Sequence, residues 1–136
     1  MKAEELRIGN LYSQFGNIHK VSASILAELE NAPDSQLWCK PIPLTEEWLV
    51  KLGFEPLPFV NILNSYTKSI GRGRIISIGN VGTTNEMIWL CEVNATDSKK
   101  IDDLVCVRNY DYDKYTHVHS LQNLYYNLCG EELTLI

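Results

Sequence analysis

Pro41-Ile42-Pro43-Leu44-Thr45-Glu46-Glu47-Trp48-Leu49-Val50-Lys51-Leu52-Gly53-Phe54 decides the fold class, because it writes one helix into a chain whose flanks read as strands. Each proline drives its predecessor out of the α region, so 41–43 is extended. Thr45 is an N-cap residue, and Glu46 and Glu47 set carboxylates at the positive end of the helix dipole. Leu44 and Leu49 have the spacing of a hydrophobic staple. Gly53 suits a left-handed stop, with Phe54 folding back onto Leu49. The predicted helix covers residues 46–52.

Upstream, residues 6–12 read as a strand, 13–17 as a turn, 18–21 as a second strand and 25–29 as a third. Gly16-Asn17 is the pair expected to take positive φ in the turn. Leu37-Trp38-Cys39 reads as a further short strand. Together these predict a short-stranded N-terminal sheet or a partial barrel.

Downstream, Pro56 and Pro58 lead into runs at 59–66, 74–78, 87–93 and 104–110. Turn signals separate these runs, and the last three are rich in β-branched and aromatic residues, so an antiparallel meander is the simplest topology. Val118, Leu121, Leu124, Tyr125 and Leu128 recur at helical steps, predicting a C-terminal helix over about 119–128 that ends at Gly130. Residues 133–136 read as a final short strand. The fold class is α+β: N-terminal sheet, middle helix, meander, C-terminal helix. One compact domain over 1–136 is expected, with a subdivision into 1–55 and 56–136.

The 136 residues carry a formal net charge of -5, which disfavours duplex nucleic acid as a partner, since phosphate neutralisation needs surplus Lys and Arg. No apolar run approaches a membrane span, and the first residues carry no export signal, so a cytoplasmic location is expected. For a phage-encoded chain that means the host cytoplasm. The four cysteines, Cys39, Cys91, Cys106 and Cys129, show no C-x-x-C spacing and are expected reduced and buried. No cofactor is implied.

Three constellations carry chemistry. In Gly71-Arg72-Gly73-Arg74 the glycines let backbone N–H groups approach an anion, and Arg72 and Arg74 supply guanidiniums for phosphate. It lacks the Lys-Ser/Thr of a phosphate-binding P-loop, and a hairpin turn with solvated arginines is the commoner explanation. Tyr110-Asp111-Tyr112-Asp113-Lys114-Tyr115 alternates aromatic and charged residues, as an edge strand does. Tyr110 and Tyr112 are base-stacking candidates, and Trp89 is read as core or interface or as an alternative stacking residue. His117-x-His119 sets two imidazoles on one face if the segment is a strand, with Asp111 or Asp113 as a third zinc ligand. The alternative is that His119 opens the last helix. No nucleophile elbow or paired carboxylates assemble, so no catalytic residue is assigned.

Three segments stand out together: Glu5-Leu6-Arg7-Ile8-Gly9-Asn10-Leu11, the 41–54 stretch, and His119-x-Leu121-Gln122-Asn123-Leu124-Tyr125-x-x-Leu128-x-Gly130-Glu131-Glu132-Leu133. This pattern resembles a family of short uncharacterised proteins of phages and integrated mobile elements of gut anaerobes. Cys129 stands where that pattern has threonine, and residues 57–115 carry no shared motif. The resemblance implies a non-enzymatic accessory protein acting against host defence. Its sharpest form is a homo-oligomer that sequesters a nucleotide-type signal, with Arg72 and Arg74 on phosphate and Trp89, Tyr110 or Tyr112 on a base. Gln122 and Asn123, polar residues within a helix, either cap a neighbouring strand or face that ligand. A module that binds a host protein is the alternative reading, and a small hydrolase the least favoured.

Overall fold

The computed structural model describes residues 3–31, 38–56, 65–71, 73–79, 87–93, 104–110 and 117–136. After a 3-10 turn at Ala3–Glu5 come β1 (Leu11–Gln14), β2 (Asn17–Lys20), α1 (Ala23–Asn31) and α2 (Glu46–Lys51). The strands β3 (Glu55–Pro56), β4 (Tyr66–Gly71), β5 (Arg74–Gly79), β6 (Met87–Val93) and β7 (Leu104–Tyr110) follow, and α3 (Val118–Cys129) is last. The α+β class stands. Two compact units emerge: Met1–Leu44 with Tyr115–Leu133, and Thr45–Lys114 with Thr134–Ile136. The first boundary falls between residues 44 and 45, and α3 groups with the N-terminal hairpin.

In the first unit β1 and β2 form a two-stranded antiparallel sheet with Gln14 opposite Asn17. The predicted strand at 6–12 shrinks because Arg7–Asn10 is a turn. There the Asn10 side chain accepts the Arg7 N–H at 2.7 Å, and Gly9 takes φ 96°. The hairpin is tighter than the sequence suggests. Phe15 (φ 50°) and Gly16 (φ 82°) hold the positive-φ positions, and Asn17 already belongs to β2.

The third strand expected at 25–29 is instead the helix α1. Ile25, Leu26 and Leu29 fall on one helical face, and Ala, Leu and Glu between them are good helix formers. Ser22 Oγ accepts the Ile25 N–H at 3.3 Å at its start. That face packs into a core of Leu6, Tyr12, Val21, Leu29 and Cys39. Nor is there a strand at 38–39: Lys40 makes an isolated bridge to Ser13, with both backbone bonds at 2.9 Å. Among the described residues the N-terminal sheet is therefore two-stranded and does not close into a barrel.

α3 buries Val118, Leu121, Leu124 and Tyr125, the stripe read from the sequence. Gly130 ends it at φ 75°, donating its N–H to Tyr126 O at 2.7 Å.

In the second unit α2 runs as its caps dictate. Thr45 Oγ1 accepts the Trp48 N–H at 3.3 Å. At the other end Phe54 N–H reaches Leu49 O at 2.9 Å and Gly53 N–H reaches Val50 O at 3.0 Å. This pair of bonds is the Schellman arrangement, and it requires the left-handed Gly53, φ 85°. The five strands lie in the order β3-β4-β5-β6-β7, each antiparallel to the next, so the meander stands. Of the strand expected at 59–66 only residues 65 and 66 are described, Tyr66 opening β4, and residues 57–64 lie outside the described ones. Ile76, Ile78, Ile88 and Leu90 are buried. Residues 133–136 do not form a strand, although the Ile136 N–H donates to Lys51 O at 2.9 Å.

Candidate functional site

The Gly-Arg-Gly-Arg segment makes the β4–β5 hairpin turn. Gly71 pairs with Arg74 across it, and both glycines have positive φ, 85° at Gly71 and 71° at Gly73. Those values require glycine, so its conformational freedom serves the reversal itself. Arg74 is exposed at the start of β5. Arg72 and Tyr112 lie outside the described residues, as do Asp111 and Asp113.

Strand register places the aromatic candidates. Tyr66, Ile78, Ile88 and Tyr110 are successive cross-strand partners. Ser77, Trp89 and Asn109 are partners one residue along. Arg74 pairs with Glu92, four residues along β5 from Ile78.

In the first unit the polar residues of α3 hold the fold together. Gln122, 2% exposed, accepts the Leu11 N–H at 2.8 Å and donates to Leu133 O at 3.0 Å. Both its amide atoms are thus engaged by backbone. Asn123 donates to Glu5 O at 2.9 Å and accepts from Arg7 Nη1 at 3.1 Å. The Arg7 guanidinium also pairs with Glu132 through Nη2 and lies 3.8 Å from the centroid of the Tyr126 ring. Of the two uses foreseen for Gln122 and Asn123, bracing neighbouring backbone is the one this geometry performs. Arg7, Tyr126 and Glu132 were not anticipated as partners, since nothing local in the sequence signals contacts of such separation.

His117 and His119 stack with ring centroids 5.7 Å apart and 19° between planes. His117 occupies the N-cap position of α3 and bridges Pro43, while His119 is the second helical residue. The shared strand face needed for a zinc pair is therefore not formed, and among the described residues no group of three His, Cys, Asp or Glu gathers for a metal. Burial, reinforced by His117, lowers the His119 pKa to about 4. Its Nδ1 is buried with no hydrogen-bond partner among the described residues.

Phe15 is 84% exposed at the tip of the β1–β2 hairpin, and Ile18 on β2 is 43% exposed. A bulky residue at positive φ is uncommon, and such strain concentrates at functional positions. The apolar residue inside a turn segment was the available signal. The edge of β2 away from β1 has no strand partner among the described residues.

Comparison with protein-family models, curated proteins and solved structures finds no match to this chain. Among the described residues no helix is long and apolar enough to cross a membrane.

Proposed function

We propose that this chain is a non-enzymatic accessory protein that acts by binding a partner protein through its β1–β2 hairpin. The observation that carries this reading is Phe15, an aromatic side chain 84% exposed on a backbone held at φ 50°. Aromatic anchors supply much of the energy of protein interfaces. The open edge of β2, with Ile18 exposed beside it, suits an extended segment of the partner pairing strand to strand. Lys20 on that exposed strand favours an acidic partner segment. The resemblance to phage and mobile-element proteins makes a host factor the natural partner.

The test compares wild type with Phe15→Asn in capture from host lysate, with and without nuclease. Asn-Gly is a favoured hairpin turn, so the variant keeps its fold. A stoichiometric protein held by wild type and lost by the variant supports the reading. Equal capture by both defeats it.

Sequestration of a nucleotide-type signal is the second reading, supported by exposed Arg74 beside the two left-handed glycines. Calorimetry against cyclic dinucleotides and ADP-ribose decides it: binding abolished by Arg74→Ala favours it, and no heat with any ligand removes it.

A further inference from the structure

We propose that the open edge of β2 pairs with the same edge of a second copy of this chain, joining two hairpins into one four-stranded antiparallel sheet about a two-fold axis at His19. The inference deepens the hairpin reading by naming what covers that edge before a partner takes it. It rests on that reading only for what the dimer withholds.

The phase of the ladder decides which backbone groups the edge offers. Ser13 exchanges both of its backbone bonds with Lys40, at 2.9 Å each, and the Leu11 N–H goes to Gln122. Both residues of β1 therefore direct their backbone away from β2. Their cross-strand partners, Ile18 and Lys20, sit in non-hydrogen-bonded pairs and direct theirs away from β1. The chain itself thus closes the outer edge of β1. The outward N–H and C=O of Ile18 and Lys20 meet no backbone partner among the described residues. All four residues of β2 are exposed, and an edge of this kind is a template for another strand.

One register makes the edge complementary to itself. Centred on His19, Ile18 of each copy lies opposite Lys20 of the other, and each such hydrogen-bonded pair exchanges both N–H···O bonds. Centring on Lys20 would oppose two ammonium groups, and centring on Ile18 would set Lys20 against Gly16 in the turn. The His19-centred register also continues an aromatic row. His19 stacks on Tyr12, with centroids 5.6 Å apart and 30° between planes, and is itself exposed. Across the axis it meets His19 of the second copy, so a Tyr12–His19 pair from each copy lines one face of the joined sheet. No acidic residue lies on β2, so the net charge of -5 is not concentrated at the seam. A two-fold dimer formed from one self-complementary patch is the commonest oligomer.

Sedimentation of the full chain from about 5 to 500 µM is expected to show its mass rise from 15.5 kDa toward about 31 kDa, since so short a seam gives a weak dimer. Ile18→Pro deletes an outward N–H and no bond to β1, so the hairpin stays folded and the variant should remain at 15.5 kDa. His19→Cys should form a reducible covalent dimer under mild oxidation, because the opposed positions lie about 4.5 Å apart, within disulfide reach. Asn17→Cys, set opposite Val21 of the second copy, should not. Wild type treated alike gives the background from the four native cysteines. A wild-type chain that stays at 15.5 kDa throughout, an Ile18→Pro variant that still dimerises, or equal cross-linking by both cysteine variants would each overturn the proposal. Mass judges this inference and capture judges the hairpin reading, so either can fail while the other stands.

Discussion

The side chain of Gln122, on the C-terminal helix, accepts the backbone N–H of Leu11, the first residue of β1, at 2.8 Å. The same amide donates to Leu133 O at 3.0 Å, so one buried side chain ties the N-terminal strand to the chain beyond α3. Replacing it by methionine keeps the volume and removes both bonds, leaving a donor and an acceptor unpaired. Each such buried group costs ~1–3 kcal/mol. Gln122→Met is therefore expected to lose about 2–5 kcal/mol in chemical denaturation. Asn123→Ala, on the more exposed flank, should lose about 1 kcal/mol. Equal small losses at the two positions would contradict the bracing role.

Stability should fall with acid in a window set by His119. Its folded pKa is about 4, lowered from 6.5 chiefly by burial. Above pH 6.5 the imidazole is neutral in both states and contributes no slope. Between 6.5 and 4 the unfolded chain takes up a proton that the native site refuses, so stability drops as pH falls. Allowing for solvent screening, the drop is roughly 2 kcal/mol. Glu5 pulls the pKa the other way and limits the effect. The difference between wild type and His119→Gln, followed by urea denaturation from pH 7.5 to 4, isolates this term from the carboxylates. Parallel pH profiles would show that His119 does not titrate abnormally.

Much of the fold was legible because its signals are local. Thr45, Gly53 and Gly130 each act on residues within one turn, and all three do as their positions in the sequence imply. Residues 25–29 misled because a short apolar run suits a strand or a helix, and packing of Leu29 against Leu6 and Tyr12 decided it. The work of Gln122 and Asn123 was hidden for a different reason: their partners Leu11 and Glu5 are 111 and 118 positions away.

Gly53 should resist substitution more than Gly16. Both have positive φ, 85° and 82°, where a side chain costs about 1 kcal/mol. At Gly16 an added Cβ meets nothing within 4 Å. At Gly53 it would lie 2.8 Å from Lys68 Nζ and 3.3 Å from Ile136 Cγ2. The lysine tip swings away at little cost, while the isoleucine must shift by a few tenths of an ångström. Gly53→Ala is therefore expected to lose roughly 1–2 kcal/mol and Gly16→Ala about 1 kcal/mol. Thermal melts of the two variants give the comparison, and a larger loss at Gly16 would contradict it.

Phe15 offers the opposite sign. At 84% exposure it contributes little burial, and at φ 50° it holds a conformation that asparagine adopts more easily. Phe15→Asn converts the turn to Asn-Gly, the preferred pair for a two-residue hairpin loop. The variant should gain about 1 kcal/mol and melt ~2–4 °C higher. A residue that lowers stability where it stands is retained for something other than the fold, and the same substitution should then weaken partner capture. Gain of stability with loss of capture is the joint signature of a binding hairpin. If the variant melts lower than wild type, Phe15 serves the fold and the hairpin reading loses its ground.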